Sequence, residues 1–366
     1  MKTIKIGIVG CGLMGGIHAE CFAREKGCEL TGFTNRTRAK ADRLAQKLGG
    51  GVYDSIDQLL QHSGCDAVVI ASPQQAHCDQ IIAAATAGKH VLCEKPLALT
   101  VEEFNAIEKA VAASKITVMV AHQLRFHPVV EWVKKNQKRL GKIYYLDLEW
   151  PLLIHGHKGR CFEDFRSGGF FMELGCHATD LARHLMGEAR DVTARTLRLD
   201  IKRVTEDCTH CLVQFENNAI GSILVSANHR GRRQGLLTGR VLGAKGRIEF
   251  TIYPYARAFN EAKLILDDGQ SVFVPDVQIE KMAKEFPPSL SKDYLGFFDV
   301  YQKEAAAFLR AIRTGKLAPI TLRDGRAAIE IILAAYHSQS LATQNPNLIS
   351  RDTSYNSDPS AHPPLK

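Results

Sequence analysis

The chain opens with Ile4-Lys-Ile-Gly-Ile-Val9 running straight into Gly10-Cys11-Gly12-Leu13-Met14-Gly15. An apolar strand that ends in three glycines at this spacing has few uses. The first glycine permits a tight turn, the second lets backbone approach a pyrophosphate, and the third lets a following helix pack on the strand. The helix expected over 13–26 turns free N–H groups and the positive end of its dipole toward an anion. The glycine spacing alone is a weak signal; its setting decides. Strands predicted at 29–34, 66–71, 90–93 and 116–121 alternate with helices at 38–48 and 76–87. A further helix is opened by the capping box Thr100-Val-Glu-Glu103, with Phe104, Ile107 and Val111 on one face. Such alternation implies an α/β fold, a doubly wound parallel sheet covered by helices on both sides.

The pattern changes after about residue 122. Residues 143–150 alternate, with Tyr144, Leu146, Leu148 and Trp150 on one face, and 211–215 and 220–227 flank the turn Glu216-Asn-Asn-Ala219. Residues 247–253 alternate again after Ala244-Lys-Gly246. This predicts a second α/β domain with an open, mostly antiparallel sheet. Phe298, Tyr301, Ala305, Phe308 and Ile312 then form one helical stripe that stops at Gly315. With 366 residues, two domains are expected. We place a dinucleotide-binding domain at 1–122, a substrate and oligomerisation domain at 123–342, and a disordered tail at 343–366.

No apolar stretch reaches the length of a membrane span. The first strand begins too soon for a signal peptide, which places the chain in the cytoplasm. Ten cysteines at irregular spacing fit free thiols better than a disulfide framework. Cys208 and Cys211 are close, but three positions apart on a strand they face opposite ways, which does not suit zinc. The formal charge of +8 is dispersed, with no aromatic-basic repeat for nucleic acid.

About twenty residues past the glycine turn, an NAD enzyme usually carries an acid for the adenine ribose. Here the chain reads Thr34-Asn35-Arg36-Thr37-Arg38. Without a carboxylate to repel a 2′-phosphate, and with Arg36 able to clamp one, NADP becomes the favoured cofactor, with NAD as the other option. Arg36 and Arg38 also read as the start of a solvated helix.

Several segments together resemble the Gfo/Idh/MocA family of oxidoreductases over nearly the whole chain. They are the glycine turn, Ala71-Ser72-Pro73 with His77, Gly88-Lys-His-Val-Leu-Cys-Glu94-Lys95-Pro96, Arg125-Phe-His-Pro128, and Gly168-Gly169 leading to Glu173-Leu-Gly-Cys-His177. The resemblance implies a Rossmann domain plus a C-terminal α/β domain, a homodimer or homotetramer, and a cis peptide before Pro96. It implies an NAD(P)-dependent dehydrogenase or ketoreductase acting on a ring hydroxyl or ketone of a small polyhydroxylated substrate: a sugar, sugar derivative or cyclitol. Asn35 and Arg36 line the cofactor site by the argument above, and by the resemblance Gly10, Gly12, Leu13, Met14, Gly15, Ser72, Pro73, His77, Glu94 and Lys95 line it with them. Lys95 contacts substrate and His177 is the acid/base. The family commonly has Asp where this chain has Glu173, which puts that residue's role in question.

The chemistry agrees on independent grounds. Lys95 follows the fourth predicted strand at its C-terminal edge, where ligands bind in such sheets, and an ammonium there favours alkoxide character on a reacting oxygen. His177 has an ordinary pKa near working pH, as a proton acceptor needs. On a helix Glu173 and His177 share a face, so the carboxylate can orient the ring. Glu173, His177, Asp180 and His184 have a spacing possible for zinc but no open-site motif, and no metal is assigned. Arg125, Arg166 and Asp180 are placed on the substrate side, Arg125 evenly weighed against a structural ion pair. His155, His157, Lys158 and Arg160, and the basic run 228–233, read as solvated surface or substrate-facing loops. Two other functions stay open: a glycosidase that uses transient oxidation by NAD followed by elimination, and a non-catalytic nucleotide-binding regulator.

Overall fold

The computed structural model describes residues 2–154, 160–228, 235–253, 260–274 and 298–343. The expected tail from 344 onward, the loop histidines 155 and 157 with Lys158, and the basic run 229–233 lie outside the described residues.

Strands β1 (Ile4–Val9), β2 (Cys28–Thr34), β3 (Gly51–Tyr53), β4 (Ala67–Ile70), β5 (His90–Glu94) and β6 (Val118–Ala121) form one sheet in the order β3-β2-β1-β4-β5-β6. Every pair in it is parallel. Helices α1 (Leu13–Arg24), α2 (Arg38–Leu48), α3 (Ile56–His62), α4 (His77–Thr86) and α5 (Val101–Ser114) connect the strands. All four residues of β4 are buried, as a strand covered on both faces requires. The order reverses between β1 and β4, so their C-terminal ends part into the crevice where such sheets bind ligands. The Thr100 hydroxyl accepts from the amide of Glu103, as the capping box predicts. Two elements escape the periodicity argument: β3 has three residues and α3 seven, too few to show a repeat.

The second sheet takes β7 (Ile143–Pro151), β8 (Ala189–Leu197), β9 (Cys208–Phe215), β10 (Ile220–Ser226), β11 (Leu237–Gly243), β12 (Gly246–Ile252), β13 (Glu261–Leu266) and β14 (Ser271–Val274), in the order β14-β13-β12-β11-β7-β10-β9-β8. Only β7 and β10 run parallel among its described pairs. Leu146, Leu148 and Trp150 point into the core as the alternation predicts, while Tyr144 at the start of β7 stays half exposed. Cys211 is buried and Cys208 half-buried on β9, on the opposite faces that strand geometry dictates.

The helices of this half are α6 (Pro128–Asn136), the short α7 (Arg160–Glu163), α8 (Cys176–Met186), α9 (Phe298–Thr314) and α10 (Leu322–Thr343). α8 and α10 cover the inner face of the second sheet. α9 does not stay with it. It packs on α1, with Phe308 edge-on to Phe22 at 6.2 Å and Gln302 donating to the Cys21 carbonyl at 3.1 Å. The amide of Val120 then donates to Ile320 O at 3.2 Å, beside β6. Residues assigned from sequence to the second domain thus cover part of the first. Phe22 and Phe308 are fully buried, and each such ring contributes about 1.5–3 kcal/mol.

Candidate active site

The glycine turn is built as the fingerprint demands. Gly10 has φ +93°, and a Cβ there would stand 2.6 Å from Ala71 backbone; one at Gly15 would stand 1.8 Å from Gly10 O. Gly12 is different: nothing lies within 4 Å of its missing Cβ. That open space faces the N-terminus of α1, which carries no side-chain cap. A diphosphate fits there, and a side chain would obstruct it.

A groove of about 870 Å³ runs from Gly10 and Gly12 past Ser72 and Pro73 to Asn35, Arg36 and Lys40. The Asn35 side chain accepts from the amide of Cys11 at 2.9 Å and donates to Thr37 O, tying the end of β2 to the glycine turn. Arg36 is exposed on the rim. Arg38 is turned away into ion pairs with Asp54 and Asp42. Arg166, expected beside the substrate, lines this groove instead, chelated by Asp164 at 3.0 Å. A short turn at residues 165–167, fixed by Gln74 donating to Ser167 O, carries it there from the other domain.

Beyond Ala71 and Ser72, which line both spaces, lies a smaller cavity of about 260 Å³. Leu13 and Met14 form one wall; Lys95, Glu173, His177 and Trp150 face it from elsewhere. His77 braces the mouth, its ring nitrogens 2.8 Å from Pro96 O and 3.0 Å from Ser72 O. Burial opposes charge on Glu94, yet its hydrogen bond to His18 at 2.9 Å and the charges of His18, Lys95 and His77 hold the carboxyl below its ordinary value. The Lys95–Pro96 peptide is cis, as the resemblance implies.

Lys95 extends from the end of β5 and donates through Nζ to the backbone carbonyl of Glu173 at 2.9 Å. Glu173 sits in a single π-helical turn, Phe171–Gly175, that runs into α8. A π-turn disturbs the i→i+4 ladder, and the Glu173 carbonyl takes side-chain donors, Lys95 and the Cys176 thiol. The widened turn also alters the phase between residues 173 and 177. The carboxylate of Glu173 accordingly meets the Cys161 thiol, which burial and then this carboxylate push up to about 12. Among the described residues no hydrogen bond joins it to His177, contrary to the shared helical face expected from sequence. Behind the turn, Glu206 accepts from the Phe171 amide at 2.7 Å and from the Tyr336 hydroxyl at 2.6 Å. A Cβ at Gly169 would stand 2.5 Å from that carboxylate, so the glycine allows the brace.

His177 is 5% exposed. The rings of Trp150 and His122 meet it edge-on at 5.9 and 6.4 Å, and its Nδ1 has no hydrogen-bond partner among the described residues. Burial, then the charges of Lys95 and His122, hold its pKa well below the ordinary histidine value. The ring is therefore neutral, and a weaker base than the ordinary imidazole expected from sequence.

Arg125 and Asp180 do not reach this cavity. Arg125 grips Asp180 through Nε and Nη2, at 2.9 and 2.6 Å, and reaches Asp324 at 3.2 Å. Arg183 joins Asp324 to Glu188. Of the two readings weighed for Arg125, the structure shows the ion pair. The zinc alternative loses its ligands in the same way, because Asp180 is bound to Arg125 and Glu173 to Cys161. No metal-holding group of His, Cys, Asp and Glu occurs among the described residues. The sequence marks Trp150 only for the covered face and does not single out His122 or Gln123. The last two follow β6 at its C-terminal edge, and the rule that singled out Lys95 would have found them.

The model of the oxidoreductase family's NAD-binding Rossmann fold matches residues 4–122, and that of its C-terminal alpha/beta domain matches 136–344. The chain belongs to the Gfo/Idh/MocA oxidoreductase family. It is 27% identical to inositol 2-dehydrogenase of Rhizobium meliloti over 92% of this chain and 97% of that one. It is also 27% identical to D-xylose 1-dehydrogenase (NADP(+)) 2 of Haloferax volcanii, over 85% of this chain and 89% of the relative. An NAD binding oxidoreductase from Klebsiella pneumoniae superposes with a TM-score of 0.79 at 25% identity, covering 93% of this chain and 98% of that one. The protein is thus an NAD(P)-dependent oxidoreductase that acts on CH–OH groups. No described helix is long and apolar enough to cross a membrane.

Proposed function

We propose that the enzyme oxidises a ring hydroxyl of a sugar, sugar derivative or cyclitol, or reduces the matching ketone. One observation carries this: Lys95 and His177 face the same cavity of about 260 Å³, which meets the dinucleotide groove at Ala71 and Ser72. Bound NAD(P) supplies the hydride acceptor. Lys95 holds the reacting oxygen by a charge-assisted hydrogen bond and favours its alkoxide form, while its bond to Glu173 O keeps the ammonium in place. His177, neutral through burial, accepts the hydroxyl proton. Leu13, Met14 and Trp150 give the cavity apolar walls. The inositol and xylose dehydrogenases among the relatives support a polyhydroxylated ring as substrate.

NADP is the preferred cofactor in this reading. Asn35 is neutral and tied to Cys11, and Arg36 has no ion-pair partner among the described residues. An exposed guanidinium at the ribose end suits a 2′-phosphate. The NADP(+) designation of the Haloferax relative supports this. Leu212 and Ile220, exposed on the outer face of the second sheet, support association into a homodimer or homotetramer.

The test is a panel of polyols and keto-sugars assayed by absorbance with NADPH/NADP⁺ and NADH/NAD⁺. Turnover of at least one ring polyol is expected, faster with the NADP couple. Glycoside cleavage without net reduction of the dinucleotide would overturn the reading.

A further inference from the structure

Most polar side chains around the small cavity are engaged by the protein itself. Gln74 donates to Ser167 O at 2.6 Å, His77 bridges Pro96 O and Ser72 O, and Glu94 pairs with His18. Gln123 breaks the pattern. It lines the cavity, is 3% exposed, and its Oε1 is buried with no hydrogen-bond partner among the described residues. Buried polar atoms are paired in nearly every native structure, and an orphan facing a ligand cavity marks a group whose partner arrives with the ligand.

The backbone leaves Gln123 little freedom to find another partner. It begins a 3₁₀ turn, Gln123–Phe126, at the C-terminal edge of β6. That turn is closed by the Arg125 amide donating to His122 O at 3.1 Å, and pinned by the Arg125 guanidinium on Asp180. The preceding residue, His122, packs edge-on against His177. Gln123 therefore lines the same cavity as His177.

We propose that Gln123 is a substrate-binding residue whose amide oxygen accepts a hydrogen bond from a hydroxyl neighbouring the carbon that reacts. The assignment rests on the proposed function and deepens it. Lys95 and His177 together handle one oxygen, and any alcohol supplies that. Gln123 adds a neutral acceptor that a hydroxyl next to the reacting carbon satisfies and a simple alcohol leaves unpaired, so it favours vicinal polyols. A site built to hydrogen-bond a hydroxyl discriminates against the analogue that lacks it, because the buried acceptor is then left unpaired.

The experiment compares wild type with Gln123→Met, which keeps the length of the side chain and removes the amide. Assays use saturating NADPH and the panel sugar or cyclitol with best turnover, together with its deoxy analogues missing one hydroxyl beside the reacting carbon. Wild type is expected to show a KM about tenfold higher for one deoxy analogue, the worth of one well-made hydrogen bond. Gln123→Met is expected to raise KM for the parent polyol by a similar factor and to lose the discrimination. NADPH affinity, read from its own fluorescence, should stay unchanged, which also reports that the variant is folded. Should Gln123→Met be unfolded, the wild-type comparison still decides: equal KM values for parent and every deoxy analogue overturn the proposal. Intact discrimination in the variant overturns it too, as does weakened NADPH binding with unchanged substrate KM, which would place the amide on the dinucleotide. In those cases the proposed function stands. If wild type neither turns over any panel polyol nor is stabilised by one in its NADPH complex, the function itself fails and this assignment with it.

Discussion

The ammonium of Lys95 is held by the backbone carbonyl of Glu173 at 2.9 Å, across the junction between the two domains. The contact uses main chain, so the identity of residue 173 does not decide where Lys95 stands. Glu173→Gln should therefore lower kcat/KM by less than about tenfold, the scale of one hydrogen bond. Lys95→Ala should lower it by about 10²–10³, as for loss of a donor to a developing oxyanion. Steady-state kinetics with one ring polyol separate the two; equal losses would mean that the Glu173 carboxylate itself meets the substrate.

His177→Ala should cost about 10²–10⁴ in kcat, the range for removal of a positioned acid/base, with dinucleotide binding unaffected. Turnover close to wild type would remove His177 from the chemistry.

Arg36→Ala should weaken NADPH about tenfold or more while leaving NADH binding as it was, since only the former carries the 2′-phosphate. Fluorescence titration of each reduced cofactor checks this. A parallel loss for both would show Arg36 acting on a group they share.

The protein should lose stability as pH falls below neutrality. Burial, aided by the charge of Lys303, pushes His127 down to about 3, and burial also lowers His77, His122 and His177. A folded-state pKa below the unfolded value near 6.5 means that the unfolded chain binds more protons, so stability falls as pH drops under about 6.5. His127 alone accounts for about 2 kcal/mol at pH 5. Its Nδ1 accepts from the Val129 amide as the N-cap of α6. Asparagine can take over that cap without titrating, so His127→Asn should flatten the acid side of a melting-temperature profile.

Arg125→Met tests the ion network. Asp180 is 1% exposed and would stay buried without the guanidinium that now grips it. Loss of one partner from such a buried pair costs about 3–5 kcal/mol. Denaturant unfolding should register that loss. An undiminished midpoint with a raised substrate KM would instead return Arg125 to the substrate site.

Where a local rule is strong, the fold is legible from the residues alone. The Gly10-Cys-Gly12-Leu-Met-Gly15 turn, the Thr100 capping box and the alternation of β7 and β12 each predict an element that the structure contains, because each is decided by neighbours within a few positions. β3 and α3 were invisible for want of length. α9 is legible as a helix, but what it packs on is not. A stripe of Tyr301, Ala305 and Phe308 says that a face is buried without saying against what.

The site divides along the same line. Sequence by itself determined the dinucleotide crevice, through glycines whose missing Cβ atoms are a local requirement, and it marked Lys95 and His177 by their motifs. Only the tertiary structure decided how the polar groups pair. It sent Arg125 and Asp180 to each other, carried Arg166 to the cofactor groove, turned the Glu173 carboxylate toward Cys161 and left Gln123 facing the cavity without a partner among the described residues. The reason is physical. Pairing depends on distances between segments far apart in the chain, and a single π-turn ahead of α8 is enough to change which side chains share a face.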